Sequence, residues 1–445
     1  MRPTLVDVAG KCPSAPNAEP VEAVSSVRPI ISRQAVAATV IGNALEFYDF
    51  VIYAYFAIYI GRAFFPVDGR YGSLLLAAAT FGVGFFTRPL GAVLIGAFAD
   101  RAGRKPALIL TVTLITAGTL GMAATPSYGS IGLAAPLIVV LCRLLQGFAL
   151  GGEVGPATAL LIEAAPPGRR AFYASWQLAS QGIAGAVGGM FGVLVSMTLP
   201  ADQLAAWGWR IPFIVSLLLV PVAVYIRRGL PETLEDDDAG TVPDVLDGVV
   251  RTHRRYLVLG VLMTLAPVVS SQIGNYMTIY ATQTLKLPPT IAQTNALVGG
   301  LLTFTGGLLG GWLCDMRGRK IVLIAPRVLL LLLSVPMFMW LQAAPSTMSV
   351  LLVTVIIALL TAMSGTAAMI VIPELLPATF RSTGVSLVYA IGTTLFGGTT
   401  QFAITALIAW TGSSMVPAWY MAATSVISLA AMTMLPETRD VDVSR

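Results

Sequence analysis

Apolar runs of about twenty residues recur along almost the whole chain, and no other sequence feature constrains its fold as strongly. A helix that crosses the hydrocarbon core of a membrane needs about 20 predominantly apolar residues. Reading for runs of that length predicts twelve spans, six on each side of a polar segment near the middle of the chain. The predicted spans, numbered 1 to 12 in this order, are residues 34–60, 72–99, 105–124, 133–164, 170–198, 209–227, 256–282, 291–315, 319–342, 347–373, 381–409 and 416–435.

Charged residues make up only 11% of the 445 residues, while hydrophobic residues make up 56%. Soluble proteins carry about 25% charged residues, so a deficit sustained over the whole length excludes a soluble protein with one buried core. The composition therefore predicts a chain whose main partner is the lipid bilayer. The formal net charge of +5 arises largely from short loops between apolar runs, so we expect no nucleic-acid partner.

Lysine and arginine are concentrated in alternate loops, and this asymmetry predicts the orientation of the chain in the membrane. The richer loops contain Arg101, Arg104, Lys105, Arg169, Arg170, Arg227, Arg228, Arg251, Arg255, Arg317, Arg319, Lys320 and Arg381. These loops are predicted to be cytoplasmic, which places both termini of a bacterial inner-membrane protein in the cytoplasm. The predicted organisation is a disordered cytoplasmic tail at 1–33, a six-helix bundle at 34–228, a cytoplasmic linker at 229–255, a second six-helix bundle at 256–436 and a cytoplasmic tail at 437–445.

Residues suited to covalent chemistry are scarce. The cysteines Cys12, Cys142 and Cys314 form no CxxC pair, and the only histidine, His253, falls in the predicted linker. An enzyme within the membrane would need a nucleophile–base pair or a metal cluster, so we predict no metal, no cofactor and no enzymatic activity. The sequence has no P-loop motif, which disfavours transport driven by ATP. A solute sensor on a transporter fold would carry a long appended domain, and we expect none.

Three short motifs occur twice, once in each half of the chain. The pattern G-x-x-x-D-x-x-G-R-K spans residues 96–105 and 311–320. The tripeptide P-E-T begins at Pro231 and at Pro436, and a third repeat joins residues 163–170 to residues 374–381. Because each pair follows the second, fourth or sixth predicted span of its half, the two six-helix halves are predicted to repeat one another.

These repeats and the six-plus-six layout resemble the major facilitator superfamily. The segments at residues 42–50, 87–92, 143–155, 164–177 and 207–213 are similar to its metabolite–proton symporters, and most similar to its citrate carriers. That group transports citrate and related carboxylates, shikimate, 2-oxoglutarate, proline and betaine. The resemblance implies that ion pairs of the repeated loop form a cytoplasmic gate, although the loop could instead serve only to anchor the topology. The implied gate residues are Gly96, Asp100, Arg101, Gly103, Arg104, Asp315 and Arg319.

Five ionisable residues fall well inside predicted spans of the first half, and such residues are functional candidates because charge is costly in lipid. They are Glu46, Asp49, Arg88, Arg143 and Glu153. Helical geometry places Arg143 about 15 Å from the outer end of its span, near the midplane where transporters hold substrate. We expect Arg143 to bind a substrate carboxylate, with a structural ion pair to Glu153 or Asp49 as the alternative. Candidate neutral contacts to substrate are Asn43, Tyr48, Gln146, Gln177, Gln272, Asn275, Tyr276 and Tyr280.

The coupling ion is expected to be a proton, with sodium as the open alternative. A histidine relay is excluded because His253 lies outside every predicted span, so a buried carboxylate is needed. The candidates are Glu46, Asp49 and Glu153, and Arg88 is expected to pair with one of them rather than with substrate. The sequence thus predicts a monomeric, proton-coupled symporter that imports a small organic anion such as citrate. The alternatives are a symporter for a zwitterion such as proline or betaine, or for shikimate, and a metabolite exporter.

Overall fold

The computed structural model describes residues 33–67, 71–102, 104–151, 154–228 and 242–439, and every regular element in these ranges is helical. The N-terminal tail, residues 229–241 of the linker and residues 440–445 lie outside the described ranges. The helices follow the twelve predicted spans. In the first half they are Arg33–Tyr55 and Ala57–Phe64 (span 1), Gly72–Phe86 and Arg88–Ala102 (span 2), Arg104–Ala124 (span 3), Ala134–Leu150 and Val154–Glu163 (span 4), Arg170–Thr198 (span 5) and Ile211–Arg228 (span 6). In the second half they are Val242–Ile279 with the π-helical turn Tyr280–Thr284 (span 7), Pro289–Arg317 (span 8), Arg319–Ala343 (span 9), Thr347–Glu374 (span 10), Ala378–Gly392 with the π-helical turn Thr393–Gly397 and Gly398–Thr411 (span 11), and Val416–Thr433 (span 12). Three short helices, Tyr128–Ile131, Ala201–Ala206 and the 3₁₀ turn Gly208–Arg210, lie in connections of the first half.

Nine of the described helical stretches are long and apolar enough to cross a membrane. The three remaining spans contain shorter apolar helices, Ile109–Ala124, Ala134–Leu150 and Gly208–Leu218. The predicted all-α membrane fold is therefore confirmed. One difference lies in the predicted linker, because the helix of span 7 already begins at Val242 and bends at His253, where the backbone is non-helical (φ −115°, ψ 19°).

Spans 1 and 2 are interrupted rather than continuous. Span 1 breaks at Phe56, and span 2 breaks at Thr87, two residues before Pro89. Because Pro89 has no N–H, the carbonyl of Phe85 receives no bond from it. That carbonyl instead accepts a hydrogen bond from Thr394 Oγ1 of span 11 at 2.8 Å. The break in span 2 thus supplies a polar link between the two halves of the chain.

The halves meet along two seams of small residues, span 5 against span 8 and span 2 against span 11. A Cβ added to Gly189 would lie 2.3 Å from the backbone nitrogen of Leu297, and one added to Gly300 would lie 2.1 Å from that of Ala186. On the other seam, a Cβ at Gly82 would lie 2.4 Å from the carbonyl oxygen of Gly398. Small residues allow helix backbones to approach closely in membranes, so these glycines bring the halves into direct backbone contact.

Replacing Gly300 by alanine is expected to lower the thermal stability of the purified protein and to reduce transport, because the added methyl group collides with the backbone of span 5. The measurements are thermal unfolding in detergent and uptake in proteoliposomes. Gly274→Ala is the matched control, since no described residue lies within 4 Å of its added Cβ, and alanine favours a helix by about 1 kcal/mol over glycine. Equal stability of the two variants would contradict the packing of this seam.

Candidate functional site

Arg143 lies on the helix Ala134–Leu150 of span 4 and is only 1% exposed. Its guanidinium carbon lies 4.4 Å from the ring centroid of Tyr53, 5.1 Å from that of Phe50 and 5.4 Å from that of Phe81. Aromatic faces attract a cation, and the attraction is larger where water is excluded. These rings therefore hold the buried charge of Arg143 without neutralising it.

The hydrogen bonds of Arg143 occupy only part of the guanidinium. Nη1 donates to Gln146 Oε1 at 2.9 Å, one helical turn away. Nε and Nη2 are buried, and the described part of the chain offers neither of them an acceptor. A guanidinium presents parallel donors that match the two oxygens of a carboxylate, so this free edge is suited to bind one.

A chain of hydrogen bonds connects Arg143 to Asp49 through Gln146 and Thr119. Gln146 Nε2 donates to Thr119 Oγ1 at 3.0 Å, and Thr119 Oγ1 makes a short hydrogen bond to Asp49 Oδ2. Thr119 also lies 2.9 Å from the carbonyl oxygen of Ile115. Sequence reasoning did not find Thr119, because threonine in a membrane helix commonly bonds only to the backbone of the preceding turn.

Arg88 lies at the start of the second helix of span 2 and is 3% exposed. Its guanidinium carbon lies 4.2 Å from the ring centroid of Phe85 and 4.8 Å from that of Phe50, and the side chain also contacts Tyr389 of span 11. Its Nε and Nη2, like those of Arg143, are buried and have no acceptor among the described residues. The ion pair expected between Arg88 and a carboxylate of the first half stays a prediction.

The carboxylates of span 1 are both buried, with 4% of Glu46 and 3% of Asp49 exposed. Asp49 Oδ2 is bound to Thr119, and the hydroxyl of Ser216 in span 6 also lies beside the Asp49 carboxyl. Glu153, the third predicted proton-coupling carboxylate, lies outside the described residues. Of the five ionisable residues predicted inside the spans of the first half, Asp49 and Arg143 therefore share one hydrogen-bond network, which also contains Gln146.

The predicted neutral contacts of the first half are buried but already bonded to protein groups. Asn43 and Gln177 join spans 1 and 5, because Gln177 Nε2 donates to Asn43 Oδ1 at 3.0 Å and Asn43 Nδ2 donates to Ser180 Oγ at 2.5 Å. Tyr48 donates to the carbonyl oxygen of Pro212 in span 6 at 3.3 Å. These contacts fix the helices that surround Asp49, and a role of the three residues in substrate binding stays a prediction.

The predicted contacts from span 7 lie in the second half and face span 11 and the turn that follows it. Gln401 Nε2 donates to Gln272 Oε1 at 3.3 Å, and Thr405 Oγ1 donates to the hydroxyl of Tyr276 at 3.3 Å. The hydroxyl of Tyr280 donates to the carbonyl oxygen of Ser414 at 3.0 Å, while Asn275 is half-buried. The polar face of span 7 therefore packs against span 11.

Arg327 of span 9 is a buried charge in the second half. It lies only about seven residues into the predicted span, a depth from which an arginine can reach the membrane surface, yet it is 0% exposed. Nη1 donates to Ser270 Oγ at 2.8 Å and Nη2 donates to Ser364 Oγ at 2.6 Å. Sequence distance gives the depth of a side chain but not its direction, and Arg327 points between spans 7 and 10.

A second charged cluster surrounds Arg319 at the first turn of span 9. Arg319 Nη2 lies 2.7 Å from Glu374 Oε1, Arg319 Nε lies 3.1 Å from Glu374 Oε2, and Arg319 Nη1 lies 3.6 Å from Asp315 Oδ1. Thr438 Oγ1 donates to Glu374 Oε2 at 2.5 Å. Because Arg319 and Glu374 are both buried, their two-point contact ties span 9 firmly to span 10.

Glu437 of the second P-E-T motif binds the N-terminus of the span 9 helix. Its carboxylate accepts from the backbone N–H groups of Arg319 at 2.8 Å and Lys320 at 2.9 Å. Partial burial alone would raise the pKa of Glu437, but bonds from the backbone N–H groups of Lys320, Arg319, Arg439 and Thr438 lower it below its usual value. A carboxyl with a lowered pKa stabilises the folded state at neutral pH and loses that contribution only as the pH falls through the lowered value.

Asp315 of the second G-x-x-x-D-x-x-G-R-K motif joins the two halves. Its carboxylate accepts from the backbone N–H groups of Ala171 at 3.0 Å and Phe172 at 2.9 Å, at the N-terminus of the span 5 helix. Helix N-termini favour negative charge. In the first copy of the motif, Gly103 lies outside the described residues. The surroundings of the other predicted gate residues of that copy are not described either; these residues are Gly96, Asp100, Arg101 and Arg104.

Sequence reasoning gave no role to Glu374 or Glu437, although a signal for both existed. Glu374 opens the second copy of one repeated motif, and Glu437 lies in the second P-E-T. The repeats showed that these positions matter, but the sequence alone did not show that both carboxylates converge on the first turn of span 9.

Replacing Arg319 by glutamine is expected to destabilise the protein strongly, because it leaves the buried Glu374 carboxylate without its cation. Breaking a buried ion pair on one side costs about 3–5 kcal/mol. Thermal unfolding in detergent measures the effect. Arg317→Gln, which removes an exposed arginine two residues away, is expected to unfold at the temperature of the unsubstituted protein. Equal unfolding temperatures for the two variants would contradict this prediction.

Comparison with known proteins places most of the chain among one group of membrane transporters. The model of the Major Facilitator Superfamily matches residues 39–400. A citrate-proton symporter of Salmonella typhi is 36% identical over 397 residues, which cover 88% of this chain and 92% of that protein. A shikimate transporter of Escherichia coli (strain K12) is 33% identical, over 91% of this chain and 94% of that protein.

Solved structures show the same fold at low sequence identity. The crystal structure of a D-xylose-proton symporter superposes with a TM-score of 0.74 and 16% identity, over 92% of this chain and 99% of that one. This similarity confirms the predicted fold of two six-helix bundles.

Proposed function

This chain belongs to the Major Facilitator Superfamily, a family of membrane transporters, and we propose that it is a proton-coupled symporter for a small organic carboxylate. It imports citrate or a related di- or tricarboxylate by alternating access. It acts as a monomer in the bacterial inner membrane, with both termini in the cytoplasm. Sodium is the alternative coupling ion.

The observation that carries this proposal is the free edge of Arg143. A buried guanidinium that keeps Nε and Nη2 without an acceptor in the described residues has an unmet demand for a carboxylate. Transporters hold substrate near the membrane midplane, where the span length places this residue. The similarity to the citrate-proton symporter of Salmonella typhi supports a carboxylate substrate.

Proton coupling acts through the Thr119 hydroxyl, which has only one proton to donate in a hydrogen bond. This hydroxyl donates either to an ionised Asp49 or to the carbonyl oxygen of Ile115, both of which lie within reach. Protonation of Asp49 therefore releases Thr119 to Ile115. Because Gln146 donates to the same hydroxyl and accepts from Arg143, loading the proton changes the hydrogen bonds that hold the substrate-binding arginine.

Alternating access requires that contacts between the halves open and close at each end of the molecule. At the end that carries Asp315, which the Lys/Arg pattern predicts to be cytoplasmic, the carboxylate of Asp315 holds the N-terminus of span 5. Towards the other end, Gln293 of span 8 donates to the carbonyl oxygen of Tyr55 at 3.2 Å. We assign the Asp315 contact to the cytoplasmic gate, which breaks when substrate is released inward.

The similarity to the shikimate transporter of Escherichia coli favours a monocarboxylate as the second candidate substrate. A zwitterion such as proline or betaine also carries one carboxylate that Arg143 would bind. These candidates differ from citrate in the number of carboxylates and not in the need for Arg143.

The test is uptake into proteoliposomes under separately imposed proton and sodium gradients. Labelled citrate, tricarballylate, 2-oxoglutarate, shikimate and betaine are compared at the same internal and external composition. The proposal predicts accumulation of a di- or tricarboxylate under an inward proton gradient alone. Accumulation of betaine only, or of any solute under a sodium gradient only, would overturn it.

Replacing Thr119 by valine is expected to lower proton-driven accumulation at least about tenfold, because a hydrogen bond to a charged group contributes about 1.5–3 kcal/mol. Thr119→Ser retains the hydroxyl and is expected to stay within about twofold of the unsubstituted protein. The measurement is the accumulation ratio as a function of external pH. If valine and serine gave the same pH profile, Thr119 would not link Asp49 to Gln146.

A further inference from the structure

Two buried arginines of the first half have the same unusual feature, a free edge of the guanidinium. In both Arg88 and Arg143, Nε and Nη2 are buried and lack an acceptor in the described ranges. These two nitrogens lie on one edge of the planar group, and their N–H bonds are parallel. Such an edge forms a bidentate contact with one carboxylate.

The two guanidinium groups lie close to one aromatic ring. The Cζ atoms of Arg88 and Arg143 lie 4.8 and 5.1 Å from the ring centroid of Phe50. Two like charges this near one another repel in a medium of low dielectric constant. This repulsion is offset when each free edge binds an anionic group.

We propose that Arg88 and Arg143 together form a two-armed site that binds two carboxylate groups of one di- or tricarboxylate. This inference rests on the proposed function and narrows it to substrates with at least two carboxylates. It gives Arg88 a direct role in substrate binding instead of the ion pair expected from the sequence. Each arm supplies one edge, and both guanidinium groups contact the ring of Phe50.

The site borders the seam between the two halves, where a transporter must bind its substrate. Arg88 contacts Tyr389 of span 11, in the second half. Phe85, whose ring Arg88 covers, lies 3.0 Å from the position of a Cβ added to Gly398. A ligand bound to Arg88 therefore acts on the contact between Arg88 and span 11, which moves with the second half during alternating access.

Selectivity follows from the cost of leaving a buried charge without a partner. A dicarboxylate satisfies both edges, whereas a monocarboxylate or a zwitterion leaves one guanidinium unpaired. An unpaired buried group costs its full desolvation free energy. The two-armed site therefore discriminates by the number of carboxylates in the ligand.

The experiment compares tricarballylate, which has three carboxylates, with its dimethyl ester, which keeps one. Dissociation constants are measured by isothermal titration on the purified full chain, for the unsubstituted protein and for Arg88→Gln. The unsubstituted protein is expected to bind tricarballylate at least about thirtyfold more tightly than the ester. Arg88→Gln is expected to lose at least about tenfold in affinity for tricarballylate and less than about twofold for the ester.

Arg88→Lys provides a second test, and decides the matter if the glutamine variant fails to fold. Lysine keeps the charge but loses the parallel donors, so it is expected to weaken tricarballylate severalfold and to leave the ester unchanged. Equal effects on both ligands, or no effect of lysine on either, would show that Arg88 is structural and would overturn the two-armed site. If the unsubstituted protein bound tricarballylate and its ester equally, the inference would fail and the carboxylate carrier would stand. Binding of neither ligand would overturn the proposed function, and this inference with it.

Discussion

Replacing Arg143 by glutamine is expected to abolish carrier-mediated uptake of citrate and tricarballylate in proteoliposomes. The substitution removes the free edge of a buried guanidinium and leaves a substrate carboxylate without its cation. Loss of one partner of a buried, hydrogen-bonded charge pair costs about 2–5 kcal/mol, which corresponds to a loss of about thirtyfold or more in affinity. Initial rates of labelled uptake at several substrate concentrations measure the effect.

Two variants make the Arg143 result specific. Arg143→Lys keeps the charge without the parallel donors and is expected to retain a small part of the uptake. Arg62→Gln removes an exposed arginine of the same half and is expected to transport normally. Normal uptake by a correctly folded Arg143→Gln protein would refute the assignment of Arg143 to substrate.

Replacing Asp49 by asparagine is expected to abolish accumulation against a gradient while exchange of internal for external substrate continues. Asparagine has nearly the shape of aspartate and still offers Thr119 an acceptor, but it does not take up and release a proton. The measurements are accumulation under an inward proton gradient and counterflow without a gradient, on the same preparation. The expected signature is loss of the first with retention of the second.

The other predicted carboxylates serve as comparators for Asp49. Glu46→Gln and Glu153→Gln are tested in the same two assays, because each was a candidate from the sequence. Retained accumulation in Asp49→Asn together with its loss in one of the other variants would move the proton site to that residue. Retained accumulation in all three would place the proton site elsewhere in the chain.

The order of the elements could be predicted from the sequence because apolar length and repeated motifs determine it. The twelve predicted apolar runs are helical in the structure. Asp315 and Glu437 of the repeated motifs bind the N-termini of the helices of spans 5 and 9. The breaks at Phe56 and Thr87 were not predicted. Only the second has a local cause in Pro89, and its consequence, the bond from Thr394 to Phe85, depends on the position of a distant helix.

The candidate site could be predicted only along single helices. A spacing of three residues puts Arg143 and Gln146 on one face of a helix, and they are hydrogen-bonded. Contacts between helices could not be predicted from the sequence, because residue spacing within one span does not give the rotation of that span relative to another span. The bond of Thr119 to Asp49 and the contact of Phe50 with both arginines are such contacts.

The most direct test of the central claim is proton movement driven by substrate alone. Tricarballylate is added to proteoliposomes that contain a pH-sensitive dye, with no imposed proton or sodium gradient. A proton-coupled symporter is expected to give internal acidification that rises with substrate concentration, fails in Asp49→Asn and does not depend on sodium. Uptake of labelled substrate without acidification, or acidification undiminished in Asp49→Asn, would contradict it.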